Sequence, residues 1–174
     1  MTELKEDRPP AASGALAEAE RRLAELGHRI PPSYRVFLAE QDGGRPVKNA
    51  FTFEQHEREQ SSRVAGFLGV DPAPYGDLVR TAGLVGDIPP GVLPIASDEF
   101  GNYICLDARD GRDGPVLFWD HEEGFDDGEI DDSNLYEIAP DLQTFLDRLT
   151  EQPQPPKAQA ERHPPGRRRL FGRK

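Results

Sequence analysis

The chain has 174 residues, a formal net charge of −11, 36% hydrophobic and 30% charged residues, and one cysteine. That length suits a single domain with a real core and is short for two. No apolar run approaches the roughly 18 residues of a membrane span, the lead MTELKEDRPPAASG lacks the basic and apolar regions of a secretory signal, and one cysteine permits neither an intrachain disulfide nor a thiolate zinc cage; a cytoplasmic protein is expected.

Residues 1–12 have no periodicity and contain Pro9-Pro10, so they are expected to form a disordered lead. Ser13 is placed to cap a helix running to about Gly27, with Leu16, Ala19, Leu23 and Leu26 on one stripe. Ile30 to Gly44 reads as a second helix: Pro31-Pro32 sit where the first turn needs no amide donor, and Tyr34, Phe37 and Leu38 form an apolar patch. Phe51-Thr52-Phe53 alternates like a short strand, Glu54 to Arg63 reads as a polar loop, and Val64 to Val70 as another strand. After the break at Asp71-Pro72-Ala73-Pro74, Tyr75 to Leu84 has weak helical character.

Leu93 to His121 is the most strongly patterned stretch. Leu93-Pro94-Ile95-Ala96, Tyr103-Ile104-Cys105-Leu106-Asp107 and Val116-Leu117-Phe118-Trp119 are short apolar runs separated by Gly, Asn and Asp, which is the pattern of a β-meander. Asp110-Gly111 and Asp113-Gly114 tolerate positive φ and suit a hairpin connection. Next comes Asp120 to Asp132, with eight acids in thirteen residues, then a strand from Leu135 to Ile138. A final helix starts at Pro140, with Leu142, Phe145, Leu146 and Leu149 on one face. Residues 151–174 are Pro-, Gln- and Arg-rich and expected to be a disordered basic tail. That tail carries seven basic and two acidic residues, which leaves −16 on the remainder.

The expected architecture is α+β over residues 13–150: a central, mostly antiparallel sheet with an N-terminal αα-hairpin and a C-terminal helix packed on it. The chemistry is less legible. No P-loop, dinucleotide fingerprint, zincin or nucleophile-elbow motif is present. An EF-hand register fails, because Phe125, Asp131 or Asp132 falls where the loop needs glycine. His121, beside Glu122 and Glu123, has no visible partner to orient it as a base, and Cys105 reads as a buried, inert thiol. No catalytic, cofactor-binding or metal-ligating residue is therefore expected. A strongly acidic body favours basic partners. The candidate partner-binding residues are Trp119, which ends an apolar strand and fits core as well as an anchor, or Phe125 as the apolar contact, with Asp120, His121, Glu122, Glu123, Asp126, Asp127 and Glu129 around them. The folded domain is not expected to bind nucleic acid or a membrane.

Four blocks together resemble the SUKH superfamily of Smi/Knr-type domains. They are Ile30 to Tyr34 with Phe37-Leu38 and Asp42-Gly43-Gly44; Leu93 to Ala96 with Gly101-Asn102 and Leu106-Asp107; Val116 to Glu122; and Ile138-Ala139 with Phe145-Leu146 and Leu149. Pro31, Tyr34, Phe37, Leu38, Gly43, Gly44, Pro94, Asp98, Gly101 and Asn102 then count as structural motif residues. The resemblance implies helices packed on a mostly antiparallel sheet and, for many bacterial members, immunity proteins that neutralise a cognate toxin. It carries no catalytic constellation. The expectation is a non-enzymatic binding protein that occludes a basic toxin, nucleases among the candidates. The alternative is a regulatory or scaffolding interaction module.

Overall fold

The computed structural model describes residues 3–5, 8–71, 76–86, 88–123 and 130–151. Four helices, α1 (Ser13–Glu25), α2 (Pro32–Glu40), α3 (Leu78–Leu84) and α4 (Leu142–Arg148), accompany six strands. These are β1 (Ala50–Gln55), β2 (Arg58–Phe67), β3 (Val92–Asp98), β4 (Tyr103–Asp107), β5 (Val116–Trp119) and β6 (Leu135–Ala139). The strands form one sheet in sequential order, with every neighbouring pair antiparallel. The fold is α+β, as the alternating runs implied.

Each helix buries most of the stripe its spacing defines, but Leu26, expected on the α1 stripe, lies past the end of the helix and is 44% exposed. Leu16, Ala19 and Leu23 of α1 face the core, and Gly27 ends the helix at φ +80°, with the His28 N–H donating to Leu23 O. Ser13 is not the cap: Ala12 holds that position and makes no side-chain bond to the helix. In α2, Pro31 is the cap and Pro32 the first helical residue, and the helix stops at Glu40 rather than Gly44. Tyr34 is fully buried and stacks on Phe37 with centroids 5.3 Å apart. Its hydroxyl lies 2.6 Å from Leu68 O and 2.8 Å from Ile95 O, which joins α2 to the sheet. In the helical layer α1 lies against α3 and α2 against α4.

After α2, Gly43 (φ +70°) brings the backbone so close to β2 that a Cβ would meet Phe67 O at 2.6 Å. Only glycine fits there. Asp42, 1% exposed, accepts from Val70 N at 2.7 Å and Asp71 N at 3.1 Å, and pairs with Arg8 at 3.3 Å. The lead expected to be disordered is engaged in its described part. Lys5 N donates to Arg45 O, Val47 N to Glu3 O and Ala11 N to Leu38 O, and Leu4 packs on the core. Backbone ladder bonds and one leucine hold it where periodicity gave no signal.

The expected polar loop Glu54 to Arg63 is a β-hairpin. β1 and β2 pair in register from Ala50↔Arg63 to Gln55↔Arg58, around a two-residue turn at His56 and Glu57. Both turn residues have positive φ, +51° and +61°. That geometry normally selects Asn-Gly, so the sequence gives no hairpin signal. β2 then runs on to pair with β3, which is buried along nearly its whole length on both faces. Pro94 sits at a register shift in β3, where a missing N–H is tolerated.

The sheet buries both sides. The helical side holds the main core, including Phe51, Phe53, Phe67, Ile95, Ile104, Phe118 and Phe145. On the other side Ile88, Val92, Cys105, Leu117 and Trp119 form a smaller cluster, with Val85, Tyr103 and Leu135 packed against it.

Candidate functional site

The β3–β4 turn is built on one carboxylate. Asp98, 5% exposed, accepts from Phe100 N at 2.7 Å, Asn102 N at 2.8 Å, Asn102 Nδ2 at 2.9 Å and Ser62 Oγ at 2.9 Å. Gly101, at φ +100°, completes the turn. Asn102 passes the order on: its Oδ1 accepts from His121 N at 3.1 Å and lies 2.6 Å from His121 Nδ1. The imidazole therefore packs beside Gly101, at the point where β5 gives way to the acidic run. The side chain this frame displays is Phe100, 63% exposed at the apex. A large aromatic held out on a rigid turn loses little conformational entropy when covered, which is the profile of an interface anchor.

A second contact closes over the same end of the sheet. At the tip of the β1–β2 hairpin, Gln55 Nε2 donates to Asp120 Oδ2 at 2.9 Å. His56 Nε2 lies 3.0 Å from both the Glu123 carboxylate and the Tyr136 hydroxyl. Tyr136 donates to Glu123 in turn. That bond, followed by the His56 contact, holds the Glu123 carboxyl below the usual range. Burial and the adjacent carboxylate push the Tyr136 hydroxyl up to about 12. Glu123 is thus ionised and Tyr136 neutral throughout the physiological range.

Buried Asn134 joins the two ends of the acidic run, donating from Nδ2 to Asp120 O at 3.1 Å and Glu123 O at 2.8 Å. At the run's far end, Arg109 binds Asp132 at 2.7 Å and Asp107 at 2.6 Å. Those bonds hold the Asp107 carboxyl below its ordinary value. The acids are therefore not equivalent. Asp120, Glu123 and Asp132 have partners within the fold, whereas Glu122 is exposed and its carboxylate receives no side-chain donor among the described residues.

Of the residues singled out from sequence, His121 meets the Asp98 turn through Asn102, Asp120 meets Gln55, Glu123 meets His56 and Tyr136, and Glu122 faces outward. Phe125, Asp126, Asp127 and Glu129 lie outside the described residues. Trp119 requires a correction. It is 6% exposed in the smaller cluster, its ring 5.8 Å from Tyr103, so it is core and not a surface anchor. Its position in the β5 register points it at the second face of the sheet, and that face is itself covered. Cys105 beneath it is fully buried, and burial pushes its thiol well up. The exposed aromatic that sequence reasoning missed is Phe100. The available signal was a lone aromatic inside SDEFGN, a turn whose other residues are all polar or glycine.

Among the described residues no group of three or more His, Cys, Asp and Glu side chains is placed to hold a metal ion. No described helix is long and apolar enough to cross a membrane. A groove of about 530 Å³ runs behind Phe100, lined by Thr52, Ser61, Arg63, Arg148 and Thr150 among others. A second of about 250 Å³ lies between α2 and α4.

Comparison with known proteins gives the family. The chain is 26% identical over 145 residues to the SPbeta prophage-derived uncharacterized protein YokK of Bacillus subtilis (strain 168), an alignment that covers 74% of this chain and 70% of the relative. The SMI1 / KNR4 family (SUKH-1) matches residues 10–148. That match takes in all four helices, all six strands and the Asp98–Asn102 turn, and the chain belongs to the SMI1 / KNR4 (SUKH-1) family.

Proposed function

We propose that this protein is a stoichiometric binding protein of the immunity type, which neutralises a basic toxin by covering its working surface. Nucleases are the leading candidates for that toxin. The carrying observation is the pairing of an exposed, rigidly mounted Phe100 with the carboxylates that begin at Asp120. Opposite charge accelerates and selects the encounter, and the aromatic side chain supplies buried apolar contact. The net charge of −16 outside the basic segment acts in the same direction at long range. The role implied by the family, and the prophage origin in the relative's name, support the same reading. On it the protein works in the cytoplasm and transforms no substrate.

The test begins with the gene beside this one. A toxin-like domain encoded there is co-expressed with this protein, and rescue of growth is expected. Failure of every such neighbour to be neutralised would leave the regulatory or scaffolding role in its place. With a partner in hand, Phe100→Ala is expected to speed dissociation at least tenfold. Joint neutralisation of Glu122, Asp126, Asp127 and Glu129 is expected to slow association and flatten its salt dependence. An unchanged on-rate at low salt would remove the acidic run from the interface.

A further inference from the structure

The geometry points to a second docking surface whose occupant is this chain itself: the groove between α2 and α4 receives residues 167–174, with Leu170 and Phe171 seated in it. The floor of the groove is apolar, made by Val36, Phe37, Leu142 and Leu146. Val36 stands out from α2 at 58% exposure, a large side chain with no cover. Carboxylates edge the slot. Glu40 lines it directly. Asp113 accepts from Ser33 N and Oγ at 3.0 and 2.8 Å at one end, and Asp147 accepts from the lining residue Gln143 at 2.8 Å. Arg35, the nearest base on α2, is turned away to Glu20 at 2.6 Å.

The segment RRRLFGRK has the complementary pattern, five bases around one Leu-Phe pair. That pair supplies the only large apolar side chains after residue 151. The tether also fits. Thr150 is fixed to β1 by backbone bonds with Ala50 of 2.9 and 3.0 Å, directly after the helix that forms one wall of the groove. The intervening residues, taken as a flexible coil, span on the order of 25 Å, while α4 is only about 10 Å long. A tether of that length gives an effective concentration on the order of millimolar, so even a millimolar contact is half occupied. The inference does not depend on the toxin-binding reading.

Amide NMR on the full-length chain tests it. Wild type is compared with the double variant Leu170→Ser/Phe171→Ser, whose changes lie outside the folded domain. Shift differences are expected at Val36, Phe37, Glu40 and Leu146. A synthetic peptide of residues 162–174, added at millimolar concentration to the double variant, is expected to restore them. Val36→Asp, at an exposed position, is expected to abolish both effects. The assignment is overturned if no differences appear, if they gather on the Asp120 to Asp132 run, or if tenfold dilution removes them, which would mean a second copy fills the groove.

Discussion

Asp98→Asn is nearly isosteric and asks whether one carboxylate holds the turn beneath Phe100. The two backbone donors, Phe100 N and Asn102 N, both address Oδ1 and can keep an amide oxygen there. The position of Oδ2 then becomes an NH₂ group facing Asn102 Nδ2 and Ser62 Oγ. The serine hydroxyl can rotate to accept. The Asn102 amide cannot turn over, because its oxygen already serves His121 N and the His121 ring. One donor is thus left facing another donor in a site 5% exposed, and the surviving bonds lose their charge assistance. A bond to a charged group contributes about 1.5–3 kcal/mol and an unmet buried donor costs about 1–3 kcal/mol. Allowing for the lower desolvation cost of the neutral side chain, the expected loss is about 2–4 kcal/mol. With a urea m-value of about 2 kcal/mol/M, the midpoint falls by about 1–2 M. Urea unfolding followed by Trp119 fluorescence measures it. Ser62→Ala, which removes one of the four donors, is expected to cost about 1 kcal/mol. A loss below about 0.5 kcal/mol for Asp98→Asn, or equal losses for both variants, would refute the reasoning.

Tyr34→Phe strips the buried hydroxyl from Leu68 O and Ile95 O. Ile95 O keeps its bond from Leu68 N, so one carbonyl is orphaned, and chemical denaturation should show a loss of about 1–2 kcal/mol. Glu57→Gly relieves a left-handed residue at the hairpin tip and should stabilise the fold by about 0.5–1 kcal/mol, seen as a Tm higher by roughly 2–4 °C. A lower Tm would show that Glu57 makes a compensating contact. The Asp107 carboxyl is held below its ordinary value, chiefly by Arg109. Its contribution is fully present above the unfolded value of about 3.9 and fades as pH falls through the depressed folded value. Asp107→Asn should therefore lose stability above pH 5 and flatten the decline below about pH 4, and an unchanged acid limb would contradict the pairing.

Elements bounded by strong turn chemistry were legible from sequence. Tyr103–Asp107 and Val116–Trp119 fall where the flanking Gly, Asn and Asp residues placed them. Asp98, Gly101 and Asn102 were counted from sequence as structural motif residues, and Asp98 accepts four hydrogen bonds in the β3–β4 turn. The β1–β2 hairpin was not legible, because its turn is His56-Glu57 and the strand residues around it are polar and exposed. Nothing in composition separates such a hairpin from a loop; its pairing comes from Phe51 and Phe53 reaching Phe118 and Phe145 across the core. The anchor reading of Trp119 failed for a related reason, and its core reading held. Alternation along a strand says which residues share a face, but a sheet covered on both faces makes neither one a surface.

The Asp42 carboxylate gathers three stretches distant in the chain: Arg8, the close of α2, and Val70-Asp71. Peeling the first dozen residues away from the body would take the Arg8 guanidinium from a nearly inaccessible carboxylate, leaving it only the Val70 and Asp71 N–H donors. Fraying from that end is consequently costly. Amide protons on the sheltered side of the lead, such as Ala11 N–H, should exchange in step with those of β2 and not as those of a loose end. A lead that looks disordered in the sequence would then unfold together with the body.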